Sequence, residues 1–142
     1  MVGPYGYCAD ISRAFVVGNN FNDEQKKLYS MAMEQIDYNS RLIKDGISFK
    51  EFTEKSWNLP EDYYPNRYSV MVHGIGLCDE WPAIRYPTDG GERSGTFQKN
   101  MTITVESYIG KVGGKEGVKL EQQYLIGENG LELMSHHPLE DI

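Results

Sequence analysis

Two stretches constrain the fold more than any others, Met101–Tyr108 and Val118–Ile126. Both alternate at the period of a β-strand. Met101, Ile103 and Val105 fall on one face and Thr102, Thr104 and Glu106 on the other, while Val118 and Leu120 alternate with Lys119, Glu121 and Gln123. The Gly-rich, charged segment 110–117 joins them as a hairpin roughly centred between Glu106 and Glu121. An antiparallel register therefore places the two glutamates nearly opposite each other, where like charges destabilise a sheet. Lys119 is the nearest side chain that could neutralise them. A divalent cation would remove the repulsion, and a solvated sheet face would make both ordinary surface glutamates.

A second feature is the run Met71–Pro82, MVHGIGLCDEWP. A short strand, Ser69–Val72, leads to His73. Two glycines then let the backbone turn closely, and adjacent carboxylates and a tryptophan follow. We read His73 as a metal ligand, with a satisfied strand-end histidine as the alternative, and Asp79 as the residue that does the chemistry. Near the start, YGYCADISRAFVV (Tyr5–Val17) reads as a strand that puts Cys8, Asp10 and Ser12 on one face. Asp10 can be a ligand or the ion-pair partner of Arg13. Together Asp10, His73, Glu106 and Glu121 form an oxygen and nitrogen donor set suited to manganese, iron, cobalt or zinc. Cys8 and Cys78 are not expected as ligands, and Cys78 packs as a small apolar residue.

Between these features the chain predicts two helices. Asn22, with Gln25 reaching back, caps the first. Its stripe of Leu28, Met31, Ala32, Gln35, Ile36, Asn39, Leu42 and Ile43 runs toward a stop at Gly46. Ser48 and Glu51 form a capping box for the second, which ends near Trp57, before Pro60. Residues 59–68 and 83–99 read as loops, Gly127–Gly130 as a turn and 131–134 as a final strand. At 142 residues the chain suits one domain with a modest core. Its net charge of −7 argues against a nucleic-acid partner. Two cysteines are too few for a disulfide framework and suit a reducing, cytoplasmic compartment. No apolar run approaches the roughly 18 residues of a membrane span, so no membrane partner is expected. The opening residues, MVGPYGY, read like the middle of a hairpin, as if the chain began inside a larger protein.

Four segments resemble one superfamily, and they occur in its order. GYCADISRAFVVG (Gly6–Gly18), HGIG (His73–Gly76), MTITVE (Met101–Glu106) and GVKLE (Gly117–Glu121) are similar to the motifs of the pita-bread aminopeptidases, prolidases and creatinase. The resemblance spans most of the chain. It implies an α+β pita-bread fold with an antiparallel sheet and flanking helices, the chain being the C-terminal part of a catalytic domain. It also implies two divalent metal ions, with Asp10 matching the second, bridging aspartate, His73 the histidine, Glu106 the first glutamate and Glu121 the bridging glutamate. The first aspartate of the pattern would precede Met1.

Peptidases of the superfamily carry a further histidine shortly after the Gly-rich turn. Leu77–Pro82 has none. The run HGIGLCDEWP is instead similar to the branch that cleaves dimethylsulfoniopropionate to dimethyl sulfide and acrylate, with iron or a similar metal pair. That likeness implies Asp79 as catalytic base and Tyr68 as a tyrosine near the reacting groups. Trp81 and Tyr64 could offer aromatic faces to the sulfonium cation; the alternatives are a core anchor for Trp81 and loop packing for Tyr64. A small-molecule substrate and a homodimer of the full-length protein go with this reading. The competing readings are an Xaa-Pro aminopeptidase or prolidase and a non-catalytic binding module on the same fold.

Overall fold

A computed structural model describes residues 1–18, 20–77, 80–90 and 94–139. Five strands form one antiparallel sheet: β1 (Val70–Gly74), β2 (Ala83–Arg85), β3 (Thr102–Gly110), β4 (Gly117–Gly127) and β5 (Gly130–Leu133), in the order β2-β1-β3-β4-β5. The β3–β4 hairpin closes at Gly110 opposite Gly117 and sets Glu106 directly across from Glu121. Its two faces have separate roles. Ile103, Val105, Ile109, Val118 and Leu120 project to one side and are buried beneath helix α1 (Asp23–Leu42). The opposite side carries Thr104, Glu106, Lys119, Glu121 and Gln123, and the pairing of His73 with Thr104 brings the histidine onto that same side.

Helix α1 starts as its sequence predicts. Asn22 Oδ1 accepts from the Gln25 N–H at 2.9 Å, and Gln25 Oε1 accepts from the Asn22 N–H at 3.0 Å. Leu28, Ala32, Gln35, Ile36 and Asn39 of the predicted stripe are buried. The helix ends at Leu42 rather than running to Gly46, because Ile43 leaves in an extended conformation and buries its side chain. Polar ties fix α1 to the sheet: Ser107 Oγ donates to Gln35 Oε1 and Gln35 Nε2 donates to Tyr86 Oη, each at 2.6 Å. Helix α2 (Phe49–Lys55) forms only half of its capping box. Ser48 Oγ accepts from the Glu51 N–H at 3.0 Å, but the Glu51 carboxylate turns to Lys55 at 2.7 Å.

Two sequence expectations need correction. Residues 5–17 are not a strand: Pro4–Gly6 is a 3-10 turn, and among the described residues the segment's β-bridge to the sheet is the isolated pair Ser12–Glu121. The reason is a shared strand edge. β5 and the Met134 N–H occupy β4 from Gln123 onward, so the extended segment reaches β4 only beyond them. Its backbone finds other partners, the Cys8 N–H donating to the Gly76 carbonyl at 2.8 Å and the Asp10 N–H to Gln123 Oε1 at 3.3 Å. The predicted loop over 83–99 contains β2, a strand too short to give a periodic signal but anchored by the fully buried Ile84.

Gly74 shows why a glycine follows the histidine. A Cβ there would lie 2.0 Å from the Trp81 carbonyl oxygen and 2.9 Å from Pro82 Cδ, where the chain returns to form β2. Gly74→Ala should therefore destabilise the fold by about 1–3 kcal/mol or more, through forced backbone displacement. Urea denaturation measures this, and an unchanged midpoint would contradict the contact.

Candidate metal centre

The site is assembled from three separated parts of the chain. β1 supplies His73, the β3–β4 pair supplies Glu106 and Glu121, and the N-terminal extended segment supplies Asp10. One ligand atom each from Asp10, His73 and Glu121 lies within 4.8 Å of the others. His73 Nε2 is 3.3 Å from Glu121 Oε1 and 3.7 Å from Glu106 Oε1. The other ring nitrogen, Nδ1, lies 2.9 Å from the Gly74 carbonyl and donates to it. That bond points Nε2 at the carboxylates, where it carries a proton in the metal-free protein and would offer its lone pair to a metal ion that replaced that proton.

Glu106 is 2 % exposed and Glu121 is fully buried. Neither Glu106 Oε1 nor Glu121 Oε1 accepts an aligned hydrogen bond among the described residues. A buried acceptor left in that state costs about 1–3 kcal/mol. These oxygens, with the imidazole and Asp10, suit a divalent ion in donor type and spacing. Ser12 Oγ donates to Glu121 Oε2 at 2.9 Å, which fixes the orientation of that carboxylate. The Lys119 ammonium lies 2.9 Å from Glu106 Oε2 and 3.6 Å from Glu121 Oε2.

Burial and charge shift these groups in opposite directions. Glu106 is pushed up to about 7, by burial first and then by the facing Glu121, with Lys119 and His73 opposing. Burial likewise works to raise Glu121, but His73, Lys119 and Ser12 outweigh it and hold this carboxyl below its ordinary value. Burial pulls His73 down, yet the Glu121 carboxylate, the Gly74 carbonyl and Glu106 together lift it to about 9. Two carboxylates and an imidazole thus share protons, an arrangement that a metal ion would replace.

The remaining predicted site residues lie in different places. Tyr68 stands at the rim, with Lys119 Nζ 4.7 Å from its ring centroid, and its hydroxyl is raised by burial and by Glu106. Trp81 is 61 % exposed and lines a cleft with Gly74, Pro82, Met101 and Thr102. Tyr64 belongs to another cluster: Arg67 stacks on its ring at 3.8 Å, Tyr86 packs edge-on, and its hydroxyl meets Thr88 at 2.8 Å. Its ring face is already used by a cation of the protein itself. Asp79 and Cys78 lie outside the described residues. Arg13 has a separate structural role. Its guanidinium forks to the carbonyls of Ser12, Glu121, His137 and Pro138 and to Gln122 Oε1, fastening the C-terminal tail against the N-terminal segment. The roles of Ser12 and Gln123 beside the site were missed in the sequence, although Ser12 shares the Asp10 face there.

The family model of metallopeptidase family M24 matches residues 1–128. The chain belongs to family M24. Its enzymes use divalent metals, and its fold is the pita-bread fold of the aminopeptidases and prolidases. The chain is 37 % identical to the dimethylsulfoniopropionate lyase DddP of Roseovarius nubinhibens, over 99 % of its own length and 32 % of the relative's. It is 34 % identical to an Xaa-Pro dipeptidase of Pyrococcus horikoshii, over 87 % of the chain and 34 % of that protein. The crystal structure of the prolidase from Pyrococcus horikoshii superposes with a TM-score of 0.79 at 29 % identity, covering 96 % of this chain and 38 % of the other. The chain thus spans about a third of the length of the relatives it matches.

The proton-sharing site gives the metal-free protein a definite pH dependence. Glu106 and His73 both have folded values above their ordinary 4.5 and 6.5, so each contributes stability at low pH that is lost as pH rises through about 7 and about 9 respectively. Glu121 has the opposite sign, its contribution being lost only as pH falls below its ordinary value through its depressed one. The melting temperature of the metal-free chain should therefore fall from about pH 5 to about pH 9, and added manganese should lessen that fall. A metal-free melting temperature that rises over this range would contradict the assignment.

Proposed function

We propose that the chain is the C-terminal, metal-binding part of a longer lyase that cleaves dimethylsulfoniopropionate to dimethyl sulfide and acrylate. Asp79 carries this reading. It follows the Gly-rich turn in a stretch, Leu77–Pro82, where peptidases of the superfamily carry a further histidine and this chain has none. The likeness to the Roseovarius nubinhibens lyase over nearly the whole chain supports it. Asp10, His73, Glu106 and Glu121 would hold the metal, iron being the proposed ion, with the first aspartate contributed from outside this chain. The full-length protein is proposed to be a cytoplasmic homodimer.

The reaction is a β-elimination. Bound metal supplies positive charge that draws electron density from the substrate carboxylate and acidifies the adjacent C–H. The Asp79 carboxylate removes a proton from the carbon next to the substrate carboxylate. That electron pair becomes the carbon–carbon double bond of acrylate. The bond from the neighbouring carbon to sulfur breaks with its electrons staying on sulfur, so neutral dimethyl sulfide leaves and the proton remains on Asp79. In this reading Tyr68 would orient the substrate and Trp81, which is exposed, would offer its ring face to the sulfonium.

The Xaa-Pro peptidase reading has its own support in the Pyrococcus horikoshii dipeptidase and prolidase. The two separate in one assay. The chain, fused behind the N-terminal part of the Roseovarius nubinhibens lyase and loaded with iron, is incubated with dimethylsulfoniopropionate and with Xaa-Pro dipeptides. Headspace dimethyl sulfide without peptide cleavage is the expected result, and peptide cleavage without dimethyl sulfide would overturn it. Asp79→Ala in this fusion should lower kcat by about 10²–10⁴-fold. Full activity in that variant would remove Asp79 from the role of base.

A further inference from the structure

We propose that Lys119 is a resident counter-cation of the metal centre, and that a divalent ion displaces it from Glu106 and Glu121. Three observations lead there. The ammonium contacts both glutamates at once, at 2.9 and 3.6 Å. It does so without hydrogen-bond alignment to Glu106, whose Oε2 accepts no directed bond. It is therefore held by charge rather than by a fitted geometry, and can be exchanged. It also has somewhere to go, since its Nζ already lies 4.7 Å from the centroid of the Tyr68 ring and its side chain is partly exposed.

The register explains why the lysine sits there. Lys119 and Glu121 are two apart on β4 and so share a face, and the hairpin pairs Lys119 with Tyr108 next to the Glu106–Glu121 pair. Apart from His73, Lys119 is the one cation among the described residues in ion-pair contact with these two carboxylates. Without it, two buried like charges would face each other across the sheet. With it, that repulsion is lessened in the metal-free fold, and metal must compete with a positive charge already in the site. Lys119 is a positioning residue in this scheme, not a catalytic one.

The proposal rests on Asp10, His73, Glu106 and Glu121 being metal ligands, and is independent of the lyase reaction. Its test uses manganese ion alone as the probe, on the wild-type chain and on Lys119→Met and Lys119→Arg. Affinity is read by competition with a chromophoric chelator, and melting temperature is read with and without manganese. Lys119→Met should melt lower without metal, bind manganese about tenfold tighter or more, and gain more melting temperature from it, because the competing charge is gone. Lys119→Arg should stay near the wild type in both readings. A merely structural lysine would lower the melting temperature without tightening manganese binding, and that result overturns the proposal while leaving the ligands standing. Failure of the wild-type chain to bind manganese overturns the ligand assignment and the proposal with it. A second measurement needs no variant to fold. Acylation of Lys119 by an amine reagent, followed by peptide mass spectrometry, should become several-fold faster when manganese is added, and an unchanged or slower rate overturns the displacement.

Discussion

Two buried glutamates facing each other across an antiparallel strand pair are the constraint on which the rest of the structure depends. Glu106 and Glu121 are fixed opposite by the hairpin register, and neither can turn to solvent. Like charges in that position work against the sheet. What surrounds them relieves the conflict: the imidazole of His73, the ammonium of Lys119 and the hydroxyl of Ser12. Each of these arrives on a different element. The fold can be seen as the arrangement that brings β1, β4 and the N-terminal segment to one pair of carboxylates.

The sheet separates stability from chemistry. On the face toward α1, aliphatic side chains of β3 and β4 bury apolar area, and the Ser107–Gln35–Tyr86 chain of hydrogen bonds sets the helix against the strands. On the other face, polar and charged groups are buried at a cost that only a satisfied network or a cation offsets. Because neighbours along a strand alternate between the faces, the same backbone that is held rigid by the core carries Glu106 and Glu121 with little freedom to move apart. Arg13 adds a third support. By joining the carbonyls of the N-terminal segment, β4 and the C-terminal tail, it holds in place the stretch that delivers Asp10 and Ser12.

Much of this was legible in the sequence because it is local. The hairpin and the opposition of Glu106 and Glu121 follow from period-two alternation and the position of the glycines, and the α1 stripe and its Asn22–Gln25 cap follow from helical spacing. Other features were hidden because they depend on which edge is already occupied or which side chain competes. Residues 5–17 have strand composition, yet β5 takes the edge they would need. Glu51 has the position of a capping partner, yet Lys55 one turn later takes its carboxylate. Tyr64 is near the histidine motif in sequence, yet Arg67 holds its ring in another cluster.

By itself, the sequence determined the antiparallel hairpin, the two helices, the family and the donor types Asp10, His73, Glu106 and Glu121, since alternation, caps and short motifs act over a few residues. The tertiary structure alone decided that these donors converge, that His73 presents Nε2 to them, and that Lys119 stands between the two glutamates. Those outcomes depend on the depth of burial and on contacts between residues distant along the chain. Burial removes the water that would otherwise screen these groups, and so strengthens the interactions between the charges in the site.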